Sequence, residues 1–302
     1  MKKSAYITLA SALAIFSSCE KEINVKVPEY KPALVINSST EAEDTIRVMV
    51  GKSISILKYN RNHDLNIADA KVVLYKDQVA IDTLKYNAWA GIYNSKTVAK
   101  TGSQYSIKVS SNGFEDASAI TTVPSIVPIV SIVRQSKARV DIDGIPQDEL
   151  KISFDDPATM GDYYIVSIIK ESRDSGFTEF TSCINTTDAS IESIYNESID
   201  QNTCLSGNAI FFRDGLFNGS RKELRLFVNS QFLEPFVMNG DTVRTKVILK
   251  HVTEDYFKFQ KTYIFASENV DNPFSEPTNV YTNVKNGYGL FSALSYHVEE
   301  IK

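Results

Sequence analysis

The sequence predicts a mainly all-β protein built as two β-sandwich-like domains with one short helix near the C-terminus. Three observations carry this. Runs of alternating polar and apolar residues recur from residue 33 to residue 252, which is the period of a half-buried strand. Pieces rich in Gly, Asn, Asp and Pro separate these runs at short, regular intervals, as sandwich turns do. Helical spacing of apolar residues under a capping residue appears once in the mature chain, after Thr253.

The chain has 302 residues, and 43% are apolar, enough to bury a real core and to exclude a disordered or collagen-like chain. A chain this long divides into about two domains of roughly 100 to 200 residues. Against 32 Lys and Arg stand 37 Asp and Glu, a net charge of -5. Nucleic acid is therefore set aside as a partner, because its binding rests on clustered positive charge.

Residues 1–18 are expected to be a lipoprotein signal peptide. Lys2 and Lys3 precede an apolar stretch, Ala5 to Phe16, too short for a membrane span of about 20 residues. The stretch ends in Phe16-Ser17-Ser18-Cys19, which resembles the lipobox of bacterial lipoproteins, with Phe16 in place of the usual Leu. The resemblance implies that Cys19 is acylated and anchors the protein to a membrane. Cleavage there leaves 302 − 18 = 284 residues. Glu20-Lys21-Glu22 is similar to the signals that send lipoproteins of the Bacteroidota to the outer-membrane surface. A tether over residues 19–32, punctuated by Pro28 and Pro32, follows.

Cys183 and Cys204, 21 positions apart in an exported chain, are expected to form a disulfide, worth about 3 kcal/mol in the chain-entropy account. Neither has a histidine beside it, since His63, His251 and His297 are scattered, so a catalytic thiol is not expected. Two cysteines without a companion motif do not make a zinc site.

The first sandwich is expected over residues 33–124. Ala33 to Asn37 and Thr45 to Val50 open it, followed by Ala70 to Lys76, Ile92 to Val98 and Gln104 to Ser110. Gly91-Ile-Tyr93, Gly102-Ser-Gln-Tyr105 and Asn112-Gly113-Phe114 resemble the turns of prealbumin-like sandwiches, so this domain is read as prealbumin/Ig-like. Trp89 is expected in the core or at its rim rather than on a sugar-stacking platform. Val123-Pro124 closes the unit.

The C-terminal β domain spans residues 125–302. Ile126 to Val133, Leu150 to Phe154 and Tyr163 to Ile169 read as strands, and Phe154-Asp-Asp-Pro157 with Tyr163-Tyr164 resembles a fibronectin-III-like sandwich. Residues 170–222 turn polar and hold both remaining cysteines, an insertion expected to be stapled by the disulfide and to carry partner contacts. Strands resume at Glu223 to Asn229 and Thr242 to Val252. Thr253 then caps a helix with Glu254 and Asp255 in its first turn. Its apolar stripe reads Tyr256, Phe259, Tyr263, Ile264, and the helix is expected across an edge or open end of the second sandwich.

The acidic residues offer no catalytic arrangement. Asp141-Ile-Asp-Gly144 with Asp148 and Glu149 breaks the register of a calcium loop and reads as a solvated hairpin tip. Asp155 and Asp156 are adjacent on a strand and so point to opposite faces, unlike a glycosidase pair across a cleft. No nucleophile elbow, metalloprotease helix or phosphate loop occurs. No cofactor, metal or catalytic residue is expected, and the protein is read as a non-enzyme.

Asn272-Pro-Phe-Ser-Glu-Pro277, Val280 to Val284 and Asn286-Gly-Tyr-Gly-Leu-Phe291 look like the C-terminal signature of a Bacteroidota surface lipoprotein family, domain of unknown function 4249. Pro32 with Leu34 to Asn37, Asp69 to Tyr75, Val123-Pro124, Tyr163-Tyr164 and Asp214 to Gly219 agree in order, while Ser292-Ala293 stand where a glycine is expected. The resemblance implies a surface-exposed accessory of a TonB-dependent transporter in nutrient uptake, binding ligand or scaffolding. An adhesin without a transport role is the alternative, and a degradative enzyme the third reading.

Overall fold

The computed structural model describes residues 30–58, 60, 64–141, 143–172, 178–192, 209–238, 240–269 and 279–301. The first half holds β1 (Leu34–Glu41), β2 (Thr45–Lys52), β3 (Lys71–Lys76), β4 (Val79–Thr83), β5 (Lys85–Asn87), β6 (Ile92–Val98), β7 (Gln104–Ser110) and β8 (Ala117–Thr122). The second holds β9 (Ile129–Val140), β10 (Pro146–Asp155), β11 (Tyr163–Ser172), β12 (Thr178–Thr181), β13 (Ile184–Asn185), β14 (Ile191–Glu192), β15 (Ala209–Arg213) and β16 (Arg221–Asn229). A one-turn helix α1 (Ser230–Leu233), the hairpin β17 (Phe236–Met238) and β18 (Asp241–Val243), β19 (Thr245–Val252), helix α2 (Glu254–Glu268) and β20 (Gly287–Glu300) complete it. The protein is all-β and sandwich-like, as its alternation predicts.

One ten-stranded sheet runs through both halves in the order β14-β15-β11-β19-β20-β1-β2-β6-β5, with β12 on β11. Two four-stranded sheets, β4-β3-β7-β8 and β13-β16-β10-β9, pack against it. β1 and β2 show why alternation suffices to place a strand: Leu34 and Ile36, then Ile46, Val48 and Val50, are buried on one face. They meet Val72, Leu74, Tyr105, Ile107 and Val109 of the first small sheet. The second core joins Tyr164, Val166, Ile168, Val247 and Leu249 to Leu150, Ile152, Phe154, Leu224 and Leu226.

The two cores divide at Val123 and Val127, yet residues 32–302 form one compact unit. The reason is β20. Its first half pairs in parallel with β1, from Leu34 opposite Gly287 to Glu41 opposite Leu294, and its second half pairs with β19. Phe291 and Ala293, nearly 260 residues after Leu34, thus complete the first core. Ser292 and Ala293, which stand where the family pattern expects a glycine, are fully buried in this seam.

Helix α2 begins where Thr253 predicts, its hydroxyl accepting the Tyr256 N–H. It lies on the opposite face of the long sheet from both cores. Val247 and Leu249 of β19 face the second core, while Val252 and, from β20, Leu294 pack with Phe257. This differs from the expected edge or open end. The buried face is shifted: Tyr256 and Ile264 of the expected stripe do pack against the sheet, but Phe257 is the anchor, against Tyr163 and Phe211, and Tyr263 is exposed, stacked on Phe259. The apolar patch left on the sheet by Ile165, Phe211 and Leu294 draws Phe257 in beside Tyr256 and Ile264 and leaves Tyr263 outside.

The segment 170–222 is built into the sheets where it is described. β15 is a central strand whose Phe211 and Phe212 are buried on opposite faces. β13 pairs with β16, and Lys222 holds Asp188 at 2.8 Å.

Candidate functional site

Between β8 and β9 the chain crosses from one core to the other through Pro124 and Ser125, and buried polar groups gather around that crossing. The Ser125 carbonyl accepts from His251 Nδ1 at 2.8 Å and from Ser295 Oγ at 2.6 Å. A carbonyl can only accept, so Nδ1 carries the shared proton. His251 is buried at the end of β19, its ring stacked on Tyr164 at 5.1 Å, and its Nε2 lies 2.9 Å from Asp162 Oδ1. Alternation along β19 places His251 there: it shares the face of Val247 and Leu249, at the end of the strand where the second core gives way to the crossing, and stands opposite Tyr164.

Asp162 belongs to a trio. Its carboxylate and those of Asp156 and Asp214 lie with oxygens within 4.8 Å of one another, each at the end of a strand: after β10, before β11 and after β15. Protein donors already engage them. Tyr164 and the Gly219 N–H donate to Asp156, Thr159 to Asp162, and the Gly161 N–H to Asp214. Burial pushes the Asp156 carboxyl above its ordinary range, and the charges of Asp162 and Asp214 push the same way, against the hydrogen bonds from Tyr164 and Gly219. Burial, then the bond to Asp156, raises the Tyr164 phenol too. Among the described residues these three carboxylates could offer oxygens to a cation. Their protein donors, however, account for the trio as a tie that holds three loops together.

A recess of about 550 Å³ opens beside this tie. Gln104, Ile120 and Thr122 wall it from the first half, and Thr159, Asp162, His251, Glu254 and Asp255 from the second. Glu254 accepts from Lys258 and from the Tyr163 hydroxyl. These bonds hold it below the usual carboxylate range, Lys258 contributing most. Tyr163 is pushed up to about 12, chiefly by burial and next by its bond to Glu254. Asp255 accepts from Tyr281 and from Asn283. Each acid is oriented by a neighbour, so the wall is preorganised. Its polarity suits a ligand bearing hydrogen-bond donors or a cationic group.

The sequence-predicted residues fare unevenly. Cys19, Cys204, His63 and Asn272 to Pro277 lie outside the described residues, whereas Cys183 is half-buried just before β13. Asp141 caps its turn, accepting from the N–H groups of Asp143 and Ile145. Asp148 and Glu149 are not part of a solvated tip. They are buried on β10, Asp148 bound by Arg134, Ser230 and the Lys137 N–H, Glu149 by Arg225. Burial pushes the Asp148 carboxyl up, but these donors outweigh it and leave it below its ordinary range. Asp155 and Asp156 do diverge: Asp155 pairs with Arg221 at the surface, and Asp156 turns inward. Trp89 is neither core nor rim. It is 96% exposed at the tip of the β5–β6 turn, where Asn87 Oδ1 accepts from its backbone N–H. Sequence reasoning missed Asp162, Asp214, His251, Glu254 and Asp255 as one site. The available signal was weak, an acid or histidine at each of several strand ends.

A long sheet shared by two sandwiches, with an acid-lined recess at their junction, defines the class of protein. The chain belongs to the family described as Domain of unknown function (DUF4249), which matches residues 20–300. No curated protein matches it. Among solved structures, a protein of Corynebacterium diphtheriae whose description provisionally calls it membrane anchored is similar at 11% identity and a TM-score of 0.22. The match covers 74% of this chain and 55% of that one, so this chain spans about half its length. Too little backbone is shared at that score for the likeness to bear on this fold.

Proposed function

We propose that the protein is a non-enzymatic lipoprotein of the outer-membrane surface, anchored through Cys19, that binds a ligand or scaffolds a partner for a TonB-dependent uptake system. The observation that carries the binding role is the junction recess, whose carboxylates are each held by a protein donor. A wall oriented in advance loses little entropy when it receives a ligand. The anchor rests on the leader and on Ser17-Ser18-Cys19, and the uptake role on the family resemblance of the C-terminal signature. Two or more acyl chains hold a protein firmly at a bilayer. Among the described residues no helix is long and apolar enough to cross a membrane.

The test is mass spectrometry of the mature N-terminus, together with purification from native outer membranes. A lipidated Cys19 and a co-purifying transporter are the expected results. A mature N-terminus at another residue refutes the anchor, and a lipidated protein that brings no transporter refutes the uptake role.

A further inference from the structure

The turn that carries Trp89 and the point where the chain enters the fold lie at the same end of the long sheet. Ala33 and Ser53 exchange hydrogen bonds, the Ser53 N–H donating to the Ala33 carbonyl at 2.9 Å and the Ala33 N–H to Ser53 Oγ at 2.9 Å. Leu34 sits opposite Lys52. The entry is therefore at the end of β2. β6 runs antiparallel to β2 with Tyr93 opposite Val48, and Asn87 pairs with Ile92. Residues 88–91 consequently project past Met49, level with Val50 to Lys52. Asn66 bridges to Gly51 and lies against Gly91, which ties the two features together. A short 3-10 turn over Ile56–Lys58 follows β2 and presents Leu57, 71% exposed.

The tip is built to hold its tryptophan outward. Asn87 Oδ1 accepts from the N–H groups of Trp89 and Ala90, and the Gly91 N–H closes onto the Asn87 carbonyl at 2.8 Å. No charged residue occurs between Lys85 and Lys96. A fixed, uncharged turn that exposes an entire indole matches the bilayer interface, where the ring's apolar body meets acyl chains and its N–H meets headgroups. The turn itself carries no charge, so its own attraction is apolar rather than coulombic.

We propose that this end of the sheet faces the membrane and that Trp89 dips into its interface as a second, non-covalent contact. The proposal rests on the reading of Cys19 as the lipid anchor. From Cys19 to Pro32 there are 32 − 19 = 13 residues, which span at most about 45 Å, so the tether keeps the entry end within reach of the bilayer.

Trp89 is the chain's single tryptophan among 15 tyrosines, so fluorescence excited at the red edge, where tyrosine does not absorb, reports on this residue alone. The experiment uses the full mature lipoprotein in phosphatidylcholine vesicles, with and without phosphatidylcholine brominated on its acyl chains. Emission should shift to the blue of aqueous tryptophan, fall at least twofold with brominated lipid, and change little between low and high salt. Flotation with the vesicles together with an unquenched, solvent-like emission overturns the membrane-facing tip while leaving the anchor standing. Failure to float overturns the anchor, and the tip with it.

Discussion

Replacing Gly289 with alanine should open the seam that makes two sandwiches one unit. Gly289 sits in β20 directly opposite Ile36 with φ of 99°. A Cβ there would stand 2.8 Å from Asn37 Oδ1 and 2.9 Å from the Ile36 carbonyl carbon, with the carbonyl oxygen closer still. Backbone cannot yield as a flexible side chain does, so β1 and β20 must separate by about 1 Å, which takes their hydrogen bonds from about 2.9 Å to about 3.9 Å, beyond bonding range. Loss of two such bonds costs about 2 kcal/mol. The left-handed backbone adds about 1–2 kcal/mol. Loosened packing of Leu34, Ile36 and Phe291 adds about 1–2 kcal/mol more, for a total of about 4–6 kcal/mol. Gly102 supplies the control. Its φ is 73°, but nothing lies within 4 Å of its Cβ position, so Gly102→Ala should cost only the backbone share, about 1–2 kcal/mol. Urea unfolding followed by far-UV circular dichroism compares the two. A Gly289→Ala protein within about 1 kcal/mol of Gly102→Ala would show that close strand approach does not govern this position.

Asp148→Asn should destabilise the protein at neutral pH by about 2–3 kcal/mol, below the usual range for a buried pair because Arg134 retains Glu234. The Asp148 carboxyl is held below its ordinary range in the fold. Its stabilisation is therefore present above the unfolded-state value near 3.9 and lost as pH falls through the folded one, so the gap between variant and wild type in urea midpoint should narrow towards acid. An unchanged gap refutes the role. Cys183 and Cys204 should appear in one cross-linked fragment on non-reducing peptide mapping of the native protein, and two freely alkylated thiols would overturn the pairing.

Much of the fold was legible residue by residue. Alternation marked β2, β6 and β7 at or near their observed starts, and Thr253 announced α2, because side-chain period and capping are local properties of the chain. β4 was missed because Asp77 and Gln78, both with positive φ, turn its hairpin without the Asn-Gly that advertises such turns. β15 was hidden inside a polar segment, where five residues, Ala209 to Arg213, are too short a run to declare a central strand.

By itself the sequence determined the β class, the helix start, several strands of each core and the family. Only the tertiary structure decided that β20 joins residue 34 to residue 287, that Phe257 rather than Tyr263 is the buried face of α2, that Asp156, Asp162 and Asp214 meet beside His251, and that Trp89 stands in solvent. The physical reason is common to all four. Periodicity says which face of an element is apolar, but the partner of that face is set by contacts between residues far apart in the chain, and a side chain is buried or bare according to what those contacts leave beside it.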